Sequence, residues 1–240
     1  MRLDKYVSQA TGQSRSDVRK AIQKGLCCVN GAVCRKADAQ IGEDAAVTLG
    51  GKPLCVQKYV YLMLDKPKGV VSASSDAHDT TVVDLVGKNY PRRNLFPAGR
   101  LDKQSTGFVL VTDDGVFAHD ILSPKHHVSK TYDVLLDTPV TQQMIKGFAN
   151  GVTLADGKKL APAELKCGKE GPCSARVVLH QGVYHQIKRM FGVFGAGVNG
   201  LHRTAIGGLQ LDPALAPGQW RKITPEELEQ LRRDHLGEEE

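Results

Sequence analysis

"AGRLDKQSTGFVLVTDDG" spans residues 98–115 and holds the two features on which the fold turns: a polar loop around Asp102 and an apolar run after Gly107. Pro97 and Gly99 stand just ahead of Asp102, so no helix enters there. "TGFVLVT" is a short continuous apolar segment bounded by turn residues, the pattern of a buried strand. Asp102 therefore lies on a loop held against a rigid sheet edge, where sites tend to be built. The same tetrapeptide, Arg100-Leu101-Asp102-Lys103, also occurs as Arg2-Leu3-Asp4-Lys5. There it opens a helix: Leu3 is expected to pack inward, and Asp4 to favour the positive end of the helix dipole. Only the second aspartate is a candidate for chemistry.

Residues 3–10 read as a first helix stopped near Gly12, and "SRSDVRKAIQKG" as a second. Ser14 and Asp17 have capping-box spacing, and Val18, Ala21 and Ile22 form the apolar stripe. Arg15 and Arg19 fall one turn apart on the face away from that stripe, as do Lys20 and Lys24. "LCCVNGAVC" sets two apolar runs around Asn-Gly, a strong hairpin signal, and "AAVTLGG" closes a unit of about fifty residues, near the lower limit for independent folding. "GGKPLCVQK" (50–58) reads as a linker.

Strand patterns follow in "YVYLMLDK", "KTYDVLLD", "SARVVLH" and "IGGLQL", with helical patterns in "GVFAHDIL", "VTQQMIKGFANG", "YHQIKRMFGVFG" and "TPEELEQLRRD". Several strands with few helices between them predict an α+β fold with a mixed, largely antiparallel sheet. The expected organisation is a small domain with its linker over 1–58, a larger one over 59–234, and an acidic tail over 235–240.

Apolar residues make up 41% of the 240-residue chain and charged residues 24%, the balance of a soluble globular protein. No apolar run reaches membrane-spanning length, and the polar start does not read as a secretory signal. The six cysteines include an adjacent pair but no C-x-x-C, which suits reduced thiols and a cytoplasmic location. Residues 1–58 hold ten Lys/Arg against five Asp/Glu, and the other 182 residues 22 against 21. So basic an N-terminal module suits either nucleic-acid binding or a solvated basic face, and charge alone does not choose.

Residues 1–49 resemble an S4 RNA-binding domain, which docks its basic second helix on RNA. "LDKPKG" (64–69), "AGRLDKQSTGFVLVTDDG", "KTYDV" (130–134) and "GVYHQIKRMFGVFG" (182–195) together resemble the pseudouridine synthases, in the branch typified by the ribosomal small-subunit enzyme A. The resemblance covers essentially the whole chain. It implies an enzyme that breaks the bond from N1 of uracil to the ribose, turns the base and rejoins it through C5, with neither cofactor nor metal. It makes Asp102 the nucleophile, Tyr132 the tyrosine that stacks on the uracil, and Lys188 the cation that keeps Asp102 charged. Arg15, Arg19, Lys20, Lys24, Lys66, Lys68, Arg100 and Arg189 become candidate RNA contacts. The implied partner is 16S rRNA or a partly assembled small subunit, the implied target uridine 516, and the acting form a monomer. Two alternatives share the basic residues: a 23S rRNA synthase, and a non-catalytic S4-type assembly factor. Gln181 and Val183 depart from the branch, which often has Glu and Arg there. His126-His127 matches a similar pair in the small-subunit branch.

Overall fold

Ser14 accepts a hydrogen bond from the Asp17 amide at 3.1 Å and so starts helix α2 (Arg15–Gln23), which packs on α1 (Leu3–Thr11). The computed structural model describes residues 1–42, 44–54, 58–91, 93–123 and 128–233. It divides into two units, Met1–Tyr59 and Val60–Glu240. The middle of the expected linker, the His126-His127 pair and the acidic tail lie outside the described residues.

In the first unit, β1 (Cys27–Val29) and β2 (Ala32–Val33) form the expected hairpin, with Asn30 and Gly31 both at positive φ as an Asn-Gly turn requires. β1 pairs next with β3 (Val47–Leu49), and β3 with β4 (Lys52–Leu54). The linker therefore starts later than its Gly-Pro composition suggests, because Gly50-Gly51 turns the chain back into a strand. Leu3, Val7, Val18, Ile22, Cys27, Ile41 and Val47 make the core. Burial, then the Cys34 and Cys28 thiols, push the Cys27 thiol up to about 11.

Asp4 is fully buried, and its Oδ2 lies 3.0 Å from both Arg2 Nη2 and Arg19 Nε. Burial raises its carboxyl, but the hydrogen bonds from Arg2 and Arg19 prevail and hold it below the usual carboxylate range. The first RLDK aspartate is thus a tie between α1 and α2, more than a dipole partner.

The second unit is built on a nine-stranded sheet. Its strands are β5 (Tyr61–Lys66), β6 (Phe96–Ala98), β7 (Thr106–Thr112), β8 (Lys130–Leu136), β9 (Glu164–Cys167), β10 (Ser174–Leu179), β11 (Val198–Ile206), β12 (Leu209–Gln210) and β13 (Trp220–Lys222). The spatial order is β13-β5-β7-β11-β8-β10-β9, with β6 against β7 and β12 against β11. Every named pairing is antiparallel except β7 with β11. The expected late strand at "IGGLQL" is split in two, because Gly207-Gly208 ends β11 at Ile206 and reverses the chain into β12. The helices are α3 (Val82–Gly87), α4 (Gly115–Leu122), α5 (Gln142–Asn150), α6 (Gln186–Val193) and α7 (Pro225–Arg232). α7 starts with the predicted Thr224–Glu227 capping box and Pro225, whereas α3, opened by a Thr81–Asp84 box, was hidden by its shortness.

Alternation sorts the side chains onto two faces. Met63, Phe108 and Leu110 pack with Phe117 and Ile121 of α4 and Leu231 of α7. The other face has two cores. Leu62, Leu64, Val109 and Val111 meet Val82 and Val86 of α3 and Leu101. Val134, Ala175 and Val177 meet Met144 and Phe148 of α5 and Ile187, Met190 and Phe191 of α6. Strand register sets Lys66, Gly107, Arg203, Tyr132 and Val177 in one transverse row of this face, and Tyr132 packs against both cores.

Two members of that row shape the Asp102 loop. At Gly107, φ is +102° and an added Cβ would lie 2.4 Å from the Arg203 carbonyl oxygen and 2.7 Å from its nitrogen, so the Gly of "STG" is required by the approach of another backbone. Lys66 is fully buried, and its Nζ donates to the carbonyls of Ser105 (2.7 Å), Pro67 (2.9 Å) and Lys103 (3.3 Å). Its expected role as a phosphate contact is therefore corrected: an ammonium spent on three carbonyls beneath the surface cannot reach RNA. Burial, opposed by Asp102 and reinforced by Arg203, pushes Lys66 down from 10.5 to about 8.

Gly107→Ala should lower stability by about 3 kcal/mol, the combined effect of a left-handed L-residue and an overpacked contact, read as a lower urea midpoint at unchanged slope. Lys66 gives a pH test. Between about 8 and 10.5 the unfolded chain binds more protons at this position than the folded one. Stability from the group thus rises with pH across that window and is lost as pH falls through about 8. Wild type should gain stability relative to Lys66→Met over the same interval in urea melts, and parallel profiles would contradict the depressed lysine.

Candidate active site

The loop bearing Asp102 is fastened on both sides. Ser72 Oγ donates to the Leu101 carbonyl and accepts from the Leu101 amide, each at 3.1 Å. Beyond Asp102, the Ser105 amide donates to the Asp102 carbonyl at 3.0 Å, and Lys66 holds the carbonyls of Lys103 and Ser105. Leu101 is buried, whereas the Asp102 side chain keeps 30% of its surface exposed. A buried leucine followed by a half-open aspartate aims one carboxylate out of a rigid loop.

Helix α6 supplies the partners. Lys188 Nζ lies 3.1 Å from Asp102 Oδ2, and His185 Nε2 lies 3.4 Å from Oδ1. His185 is the N-cap of α6 and Lys188 its third residue, so the i, i+3 spacing puts both on one side of the helix. Gln186, which is buried, accepts from the Val183 amide at 3.0 Å and fixes the turn into the helix. The arrangement sets a carboxylate beside the Lys188 side chain in a partly open cleft, a geometry suited to a nucleophilic or proton-abstracting aspartate.

Of the three expected catalytic residues, Asp102 and Lys188 are in contact. Tyr132 stands in the transverse row of the same sheet face, half-buried between the two cores, and its hydroxyl has no hydrogen-bond partner among the described residues. Reasoning from sequence missed His185, although its place three residues before Lys188 in "YHQIK" was a readable signal.

The remaining candidates separate by exposure. Arg15, Lys20, Lys24, Lys68 and Arg100 are exposed. Arg19 is held through Nε by Asp4 and Arg189 through Nη2 by Asp156, so each has only part of its guanidinium to offer a phosphate. A cavity of about 440 Å³ lies elsewhere, lined by Thr131, Arg176, His202 and Thr204. These belong to the sheet face opposite Tyr132, and none of the Asp102 cluster takes part.

Residues 60–192 match the family model of RNA pseudouridylate synthase, and residues 1–47 that of the S4 domain. An uncharacterized RNA pseudouridine synthase of Bacillus subtilis is 40% identical, covering 96% of this chain and 98% of that protein. Ribosomal small subunit pseudouridine synthase A of Escherichia coli is 41% identical over 95% of this chain and 98% of its own length. A crystal structure of a pseudouridylate synthase superposes with a TM-score of 0.67 at 36% identity, covering 96% of this chain and 99% of that one. Among the described residues, no helix is long and apolar enough to cross a membrane. By fold, by motif and by similarity along nearly its whole length, the chain belongs to the RNA pseudouridine synthases and carries an S4 domain ahead of the catalytic one.

Proposed function

We propose that this enzyme isomerises one uridine of 16S rRNA, the position conventionally numbered 516. The observation that carries the reading is the 3.1 Å contact between Asp102 and Lys188 on the open side of a rigid loop. Asp102 is the nucleophile, and Lys188 orients it. Tyr132 stacks on the uracil and handles the proton lost from C5. The N1–ribose bond breaks, the base turns in place, and a C5–ribose bond forms. N1 ends with a proton and C5 without one, so the reaction balances with no co-reactant. The target must leave its stack to reach the cleft.

Residues 1–58 serve as the RNA-binding domain and 59–234 as the catalytic one. Arg15, Lys20, Lys24, Lys68 and Arg100 contact phosphates, joined by the free edges of Arg19 and Arg189. The choice of 16S rRNA is supported by the relative named for the small subunit at 41% identity. The enzyme acts as a monomer in the cytoplasm. Because proteins read RNA mainly in unpaired, shaped regions, a partly assembled small subunit is a better substrate than a short oligonucleotide.

Asp102→Asn should keep the fold and RNA affinity and abolish pseudouridine formation, while Asp4→Asn leaves turnover nearly intact. Modification by Asp102→Asn at the wild-type rate would refute the assignment. Mapping pseudouridine in deproteinised 16S rRNA, partly assembled small subunits and 23S rRNA tests the substrate. Modification confined to 23S rRNA would assign the chain to a large-subunit branch.

A further inference from the structure

Just ahead of α6, Tyr184 leaves 76% of its surface exposed. An aromatic ring normally gains by burial, so one held in solvent needs another reason. The ring does not hang loose: it lies on the His185 imidazole with centroids 3.8 Å apart and planes 19° from parallel. His185 in turn holds a left-handed backbone, φ 49° and ψ 34°. Among the described residues the other non-glycine at positive φ is Asn30, where a hairpin turn calls for it. His185 is the third residue of the four-residue turn Val183–Gln186, a position where a positive φ ordinarily calls for Gly or Asn. Its conformation is imposed by Gln186, whose side chain accepts from the Val183 amide and whose own amide donates to the Val183 carbonyl at 3.1 Å. Strain of this kind persists where the surroundings over-determine it, and it clusters at functional positions.

The consequence is a layered arrangement that begins at the reacting group. The Asp102 carboxylate meets the edge of the His185 ring at 3.4 Å, the Tyr184 ring lies on the His185 ring, and Tyr184 is otherwise open. We propose that Tyr184, backed by His185, is a stacking platform for the unpaired base next to the flipped uridine in the RNA chain. The inference rests on the function proposed above and adds a specificity-determining residue to it. Extruding a nucleotide leaves its neighbours without a stacking partner on one side, and proteins that hold unpaired RNA supply aromatic faces for such bases. Lys188, paired with Asp102, and Arg189, whose guanidinium Asp156 holds only in part, make the surroundings of the platform polar, with donors for a phosphate, and ill suited to an apolar protein segment. His185 acts as a positioning residue, since the imidazole that supports Tyr184 also touches Asp102.

The test uses the full-length enzyme and a 16S rRNA fragment, or whichever rRNA the wild type modifies, with 2-aminopurine placed in turn on each neighbour of the target. Wild type should quench the fluorescence at one of the two positions, and Tyr184→Phe should do the same. Tyr184→Ala should lose the quenching and raise KM roughly tenfold, the value of one stacked base, with kcat at saturating RNA unchanged. Because Tyr184 is exposed, thermal melts of the three proteins should coincide. Tyr184→Ala indistinguishable from wild type in fluorescence and KM would overturn the platform while leaving the active site standing. Wild-type activity in Asp102→Asn would instead overturn the active-site reading itself.

Discussion

The backbones of Gly107 and Arg203 come closer than a residue with a Cβ would permit, and the catalytic unit depends on that approach. Among the described residues, β7 with β11 is the one strand pairing between β13-β5-β7, with β6, and β11-β8-β10-β9, with β12. The short parallel register of His202 with Thr106 and Arg203 with Gly107 is reinforced by Arg203 Nε, which donates to the Phe108 carbonyl at 2.7 Å. Everything chemical is divided across this seam. The Asp102 loop runs into β7 on one side, and Tyr132 lies on β8 beyond β11 on the other. A seam too wide by one methyl group would shift the Asp102 loop relative to β8.

The same row concentrates positive charge under the loop. Lys66 and Arg203 are both buried, and Arg203 keeps one buried nitrogen, Nη2, without a hydrogen-bond partner among the described residues. Isolated buried cations are costly. Lys66 is accommodated by three carbonyls and by the negative charge of Asp102, and its depressed affinity for a proton records what burial still costs. The two RLDK sequences show how surroundings decide chemistry. Asp4 is sealed from solvent between two arginines, so its charge holds two helices together. Asp102 meets a lysine and a histidine while keeping an open side, so its carboxylate still faces solvent.

Much of this was legible in the sequence where local rules act alone. The Asn-Gly hairpin, the Ser14 and Thr224 caps and the apolar run of β7 each follow from a few adjacent residues, and each forms as its pattern implies. What was not legible depends on partners distant in sequence. Nothing in "LDKPKG" distinguishes a surface lysine such as Lys68 from a buried one such as Lys66, because burial is set by a loop some forty positions away. "GGKPL" has the composition of a linker and becomes a strand because β3 offers an edge. Arg19 reads as one of four basic residues on a helix, and only the folded α1 shows that Asp4 already holds it.

The cleft inherits its precision from the two apolar cores that meet at Tyr132. Helix α6 buries Ile187, Met190 and Phe191 in the core that contains Val134, Leu136 and Val177, so Lys188 and His185 are fixed relative to β8. Leu101 belongs to the other core, with Leu64, Val109 and Val82, so Asp102 is fixed relative to β5 and β7. Burying three large side chains of α6 contributes about 1.5–3 kcal/mol each. A left-handed histidine costs on the order of 1–3 kcal/mol, and packing of the helix exceeds that cost. The strained turn therefore persists without a ligand, and the carboxylate, the lysine and the imidazole are already assembled when RNA arrives. Such preorganisation lets binding energy go to extruding and holding the uridine, because none of it is needed to build the site.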